Sequence, residues 1–206
     1  MKNKVLVSFI LDETGSMEVV KQQTISGFNE YIQTLRKDKN SKDMLFTLTK
    51  FNSDKVEVVS DGVALEEVVT LDDKNYQPSA LTPLYDAIGA TIHSLESKVK
   101  GKKQAALVVI QTDGEENASK EFTREKIFTL IDDKKKLGWT FAFLGADIDA
   151  WDASAKLGIA IGNTMNYASA DTSKTLRGMA TATVGYVSSG GQQTTNYFHT
   201  EDSEPE

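Results

Sequence analysis

The sequence contains no cysteine, which excludes disulfide scaffolds, thiolate metal sites and cysteine nucleophiles together. Histidine occurs only at positions 93 and 199, too few for a histidine-built zinc site, and a Ser-His-Asp triad is disfavoured with it. No apolar run approaches the length of a membrane span. The first apolar run, Val5 to Leu11, is too short for a secretory core and leads into acids, so a cytoplasmic location is expected. Basic charge is also in deficit. The net charge of −7 argues against binding a phosphate backbone, which needs a basic face. The local run Lys98, Lys100, Lys102 and Lys103 reads as a solvated helix end, where cations suit the dipole.

What is present is an ordinary globular mixture, 39% apolar and 26% charged, in a chain long enough for one domain with a sizeable core. Strand-length apolar runs alternate with helix-period segments, the pattern of an α/β protein with a mostly parallel sheet. Val5 to Leu11 and Ala105 to Thr112 read as central strands covered on both faces. Met44 to Phe51 and Lys55 to Ser60 read as a hairpin whose second arm is polar enough for an antiparallel edge. Trp139 to Gly145 and Ile159 to Gly162 complete about six strands, and Val63 to Leu71 reads as a short helical turn. Helices are expected over Met17 to Arg36, Pro83 to Val99, Arg124 to Leu137, Asp149 to Leu157 and Thr172 to Val187. His93 falls on the polar side of its helix. A domain over 1–188 and a flexible acidic tail over 189–206 follow from composition.

Three segments carry oxygen side chains where this topology would gather them. Asp12, Thr14 and Ser16 follow the first strand, Thr82 opens a helix before Pro83, and Asp113-Gly114 ends the second central strand. In doubly wound sheets ligands bind beyond the carboxyl ends of the strands, where strand order reverses. If the strands from Val5 and Ala105 are neighbours, all three segments reach that edge. Each also has a plain reading: Ser16 and Thr82 as helix caps, Asp113-Gly114 as a turn. Jointly they favour a hard divalent cation, which takes oxygen ligands.

The ordered set Asp12-x-Thr14-x-Ser16, Thr82 and Asp113-Gly114 resembles the metal-ion-dependent adhesion site of von Willebrand factor A domains, over about Lys4 to Ser188. The phrases Ile10 to Met17, Thr82 to Gly89 and Thr112 to Ser119 look most like small stand-alone bacterial and phage versions. The resemblance implies a doubly wound, Rossmann-like fold flanked by helices, and magnesium at the site, with manganese or calcium as substitutes. It implies that Thr14 and Ser16 meet the ion directly. Thr82 would do so in one conformation and through water in another, and Asp12 and Asp113 mostly through waters. Direct ligands without charge leave the ion able to take a partner's carboxylate. Leu81 departs from the family in standing where a glycine or serine is usual.

Glu13, Leu81, Glu115, Glu116 and Asp147 are expected to rim the site and meet the partner, with Asp149 beside them; Glu115 or Glu116 entering the metal shell is the alternative. Asp86 is read as a structural first-turn acid. The expected function is a non-catalytic, metal-dependent protein-binding module, with self-association through the acidic tail as a further option. The competing expectation is a magnesium-dependent phosphoester hydrolase using Asp12 and Asp113. It lacks a general acid, because Thr14 stands where the second acid of a haloacid-type phosphatase would be.

Overall fold

The structure, a computed structural model, describes residues 4–99 and 105–198. Lys100, Lys102, Lys103, His199 and the acidic residues 201–206 lie outside the described residues. Six strands form one sheet: β1 (Leu6–Asp12), β2 (Leu45–Phe51), β3 (Val56–Ala64), β4 (Ala106–Thr112), β5 (Thr140–Ala146) and β6 (Thr164–Tyr167). Their order is β3-β2-β1-β4-β5-β6, all parallel except β3, which pairs antiparallel with β2 at one edge. Five helices flank it: α1 (Lys21–Lys37), α2 (Leu84–Lys98), α3 (Arg124–Lys136), α4 (Ala150–Lys156) and α5 (Thr172–Ser188).

Alternation along the strands divides the core into two layers. Val7, Phe9 and Leu11 of β1 face the side covered by α1 and α5, with Leu107 and Val109 of β4. Leu6 and Ile10 face α2, α3 and α4, with Ala106, Val108 and Ile110. Every residue of β1, β4 and β5 is buried, which is why these strands are apolar almost throughout. Phe9 meets the edge of Phe28 from α1 at 5.6 Å and 86°, and Tyr31 and Phe46 continue that aromatic cluster. Helix α1 presents Thr24, Phe28, Ile32 and Leu35 inward, the stripe its spacing predicts.

Three expectations need correction. The helix expected from Met17 begins as a 3-10 turn over Gly15–Val20 and becomes α-helical only at Lys21. Ile159 to Gly162 is no strand. Ile159 is buried in the core, Ile161–Asn163 form a 3-10 turn, and the last strand is Thr164–Tyr167. As an edge strand β6 buries only Thr164 fully, so it carries no apolar run to announce it. Third, Val63 and Ala64 belong to β3, and the helical turn that follows covers only Leu65–Glu67. Past α5, residues 189–198 pack onto the amino end of the sheet: Asn163 Nδ2 donates to Thr194 O at 2.8 Å, and Tyr197 is buried beside Thr183 at 2.6 Å.

Strand order reverses between β1 and β4, which are hydrogen-bonded neighbours from Leu6↔Ala106 to Leu11↔Gln111. Their carboxyl ends open onto the loops that carry Asp12 to Ser16 and Asp113.

Candidate metal centre

The first loop turns on Asp12. Its Oδ1 accepts from Thr14 N at 2.8 Å, and its Oδ2 accepts from Thr112 Oγ1 at 2.5 Å, tying the ends of β1 and β4 together. Asp12 is fully buried. Burial pushes its carboxyl up to about 6, against the hydrogen bonds from Thr112 and Thr14, and nearby Asp113 raises it further. Thr14 Oγ1 lies 3.2 Å from Ser16 Oγ, and Ser16 Oγ donates to Asp113 Oδ1 at 2.6 Å. Asp113 is also raised, by burial first and then by neighbouring Asp147, against the Ser16 hydrogen bond.

Thr82 arrives on the loop before α2. Gly15 N donates to Ala80 O at 3.1 Å and Ser79 N to Glu13 O at 3.0 Å, fastening that loop to the first. Asn117 Oδ1 accepts from Thr82 N at 2.9 Å, fastening it to the third. Ala80 holds a φ of +63°, a left-handed conformation unusual for alanine, in the turn that delivers Thr82. Leu81, bulky but 57% exposed, points its side chain into solvent, so its size does not obstruct the turn. Gly114 completes the floor: a Cβ there would lie 3.1 Å from Thr82 Oγ1 and 3.7 Å from Ser16 Oγ. Asp12, Thr14, Ser16, Thr82 and Asp113 therefore converge at one sheet edge.

The plain readings fare poorly for the hydroxyls. No side chain caps the 3-10 turn after Thr14, and none caps α2 at Pro83, so neither Ser16 nor Thr82 serves as a helix cap. The amino end of α2 is held instead by Glu116 Oε2, which accepts from Tyr85 N at 2.9 Å.

The rim expectations divide. Leu81, Glu115 and Asp147 are exposed at this edge, and Asp147 also accepts from Ser169 N at 3.1 Å. Glu116 is no free rim acid: its oxygens also accept from Ala118 N, Ser119 N and Ser119 Oγ at 2.7–2.9 Å. Glu13 is not on the rim either. Its carboxylate turns inward to Lys50 Nζ, 2.9 Å away, with both side chains 3% exposed. Asp86 is structural as read, gathering the N–H groups of Lys120, Glu121 and Phe122 at 2.8–3.0 Å. His93 is exposed, its ring 5.6 Å from that of Phe122.

Sequence reasoning missed Lys50, Asn52, Tyr76 and Asn117. Tyr76 OH donates to Asp12 O at 2.7 Å, and Asn52 Nδ2 donates to Ser79 Oγ at 3.2 Å. Lys50 carried a signal: a lysine inside an otherwise uncharged, buried strand requires a buried partner.

The donor set suits a small hard cation. Adjacent ligands of an octahedral magnesium ion stand about 2.9 Å apart, close to the 3.2 Å between Thr14 Oγ1 and Ser16 Oγ. Among the described residues no three His, Cys, Asp or Glu side chains gather as a metal cluster, so an ion here would depend on hydroxyl oxygens.

The structure resembles solved proteins at low sequence identity. The vWF domain of the type V pili tip protein Mfa5 from Porphyromonas gingivalis superposes with a TM-score of 0.66 at 9% identity, over 90% of this chain and 97% of that one. The fold is that of a von Willebrand factor A domain. Proximal thread matrix protein 1 from the mussel byssus matches with a TM-score of 0.64 at 11% identity, over 85% of this chain. This chain spans about half the length of that one, 47%. Manganese-loaded TRAP protein of Plasmodium vivax matches with a TM-score of 0.57 at 14% identity, over 84% of this chain and 72% of that one. No protein-family description and no curated protein sequence matches the chain. At such identities the likeness establishes the A-type fold alone. Among the described residues no helix is long and apolar enough to cross a membrane.

Proposed function

We propose that the protein is a non-catalytic, magnesium-dependent protein-binding module, with manganese or calcium able to substitute. The observation that carries the reading is the meeting of three hydroxyls and two carboxylates from three loops, with Ser16 and Thr82 used in no helix cap. Thr14, Ser16 and Thr82 would hold the ion directly, while Asp12 and Asp113 orient waters around it. When bound, the ion supplies a Lewis-acidic position that an outside carboxylate completes.

The chain's own residues do the rest. Asp12, buried and bound by Thr14 N and Thr112 Oγ1, fixes the first loop, and Gly114 leaves room for the hydroxyls. Exposed Leu81, Glu115 and Asp147 flank the approach. The partner is a protein that offers an aspartate or glutamate, not a nucleic acid or a membrane. The hydrolase alternative gains no observation: no acid stands at position 14 to protonate a leaving group.

Likeness to stand-alone bacterial and phage proteins and a cytoplasmic location belong to the same proposal. Self-association through the acidic residues beyond 198 is its remaining element. The described chain ends at the pole opposite Asp12, the arrangement that head-to-tail contact between copies needs.

The test is capture of partners from the native host with magnesium and then with EDTA, using the wild-type chain and Asp12→Ala. Partners retained only by the wild type in magnesium support the reading. Capture indifferent to EDTA and to the substitution refutes it.

A further inference from the structure

Among the described residues, the ion pair with both side chains buried lies behind the candidate metal loop and has no part in the ligand set. Lys50 Nζ donates to Glu13 Oε1 at 2.9 Å, to Glu13 Oε2 at 3.1 Å and to Asn75 O, and Glu57 Oε2 stands 3.6 Å away. Glu13 Oε1 also accepts from Gln77 N at 2.7 Å. Glu13 sits between Asp12 and Thr14. The same stretch of chain reaches the loop twice more, through Tyr76 OH on Asp12 O at 2.7 Å and Ser79 N on Glu13 O at 3.0 Å. Asn52, in the turn after β2, adds its Nδ2 to Ser79 Oγ at 3.2 Å.

The chain at Asp12 and Glu13 is therefore gripped from behind by residues 75 to 79, and Lys50 is the buried cation at the junction. A pair this buried is a poor source of stability, since desolvation offsets most of its attraction, yet removing one partner leaves an uncompensated charge. Its geometric effect is definite: the pair fixes the direction of the Asp12–Glu13–Thr14 backbone, and with it where Thr14 and Ser16 place their hydroxyls.

We propose that Lys50 and Glu13 are positioning residues for the metal loop, and that the buried pair sets the affinity of the site for its divalent ion without touching it. The inference rests on the metal-binding reading above. It makes a prediction that a charge acting through space does not share. Through space, neutralising Glu13 would weaken cation binding and neutralising Lys50 would strengthen it. If the pair acts by holding the loop, both changes weaken it, because each releases the same backbone.

The experiment is titration of manganese alone into the full chain, followed by electron paramagnetic resonance of free Mn2+, with thermal unfolding in EDTA alongside. Glu13→Gln and Lys50→Met are each expected to weaken manganese binding tenfold or more. Lys50→Arg, which keeps a multi-donor cation, is expected to restore it to within about threefold of wild type. The double variant Glu13→Gln/Lys50→Met buries no unpaired charge and keeps the measurement possible if a single variant fails to fold. It is expected to unfold within a few degrees of wild type and still bind as weakly as the single variants. Tighter binding by Lys50→Met, or wild-type affinity in the double variant, overturns the positioning role while wild type still binds manganese. Wild-type protein that binds no manganese overturns the metal-binding reading itself.

Discussion

Asp12 makes the metal-free protein sensitive to pH in a direction that can be worked out in advance. Its carboxyl rises from an ordinary 3.8 to about 6 in the fold, because burial disfavours the charged form more than its hydrogen bonds favour it. The folded chain therefore holds this proton more tightly than the unfolded chain. The resulting stability is fully present below pH 3.8 and is lost as pH rises to about 6. At about 1.36 kcal/mol per pH unit the loss amounts to ~3 kcal/mol. Asp12→Asn keeps the shape and never ionises, so comparison with it isolates this one group from every other carboxylate. In EDTA the two proteins should be of similar stability near pH 4. By pH 7.5 the variant should be the more stable, by up to ~3 kcal/mol, or roughly 6–12 °C in Tm for a chain of this size. Adding magnesium at pH 7.5 should reverse the order, since the ion stabilises the ionised wild type and gains little from an amide. Thermal unfolding of both proteins across this pH range, with and without magnesium, is sufficient. A difference between them that stays constant with pH would refute the reasoning.

Other expectations follow from single features. Ala80→Gly relieves the left-handed backbone at φ +63° and should stabilise the metal-free chain by about 1 kcal/mol, read as a rise in Tm. Gly114→Ala places a methyl 3.1 Å from Thr82 Oγ1. It should weaken manganese binding with little change in far-ultraviolet circular dichroism. Tyr197→Ala removes a buried ring that meets Thr183 and packs against Phe198, and should cost about 3–5 kcal/mol in denaturant unfolding.

The parts of the fold that could be read from the sequence are those whose burial is uniform. Strands β1 and β4 are enclosed on both faces, so their residues had to be apolar and their loops stood out. Helices α1 and α2 face the sheet along one stripe, and that stripe repeats in the sequence. Strand β6 escaped because an edge needs few apolar residues, and Ile159 to Gly162 misled because Ile159 fills a gap in the core without joining the sheet. The convergence of Asp12, Thr14, Ser16, Thr82 and Asp113 was legible because each sits at the end of a well-marked element. Glu13 and Glu116 were not. An acid in a loop looks the same in one dimension whether it faces water, a buried lysine or a row of N–H groups. Only the partner decides, and Lys50 lies 37 residues away from Glu13 in the chain.

The packing of residues 189–198 bears on how the protein can be handled. Phe198 N donates to Gly162 O, and Thr194 N to Thr140 Oγ1 at the start of β5. A strand such as β5 runs about 20 Å from there to the opposite rim. A linker joined after Phe198 would therefore anchor the molecule to a bead or sensor chip by its base. The loops that carry Asp12, Thr82 and Asp113 would then face outward, free to meet whatever is passed over them.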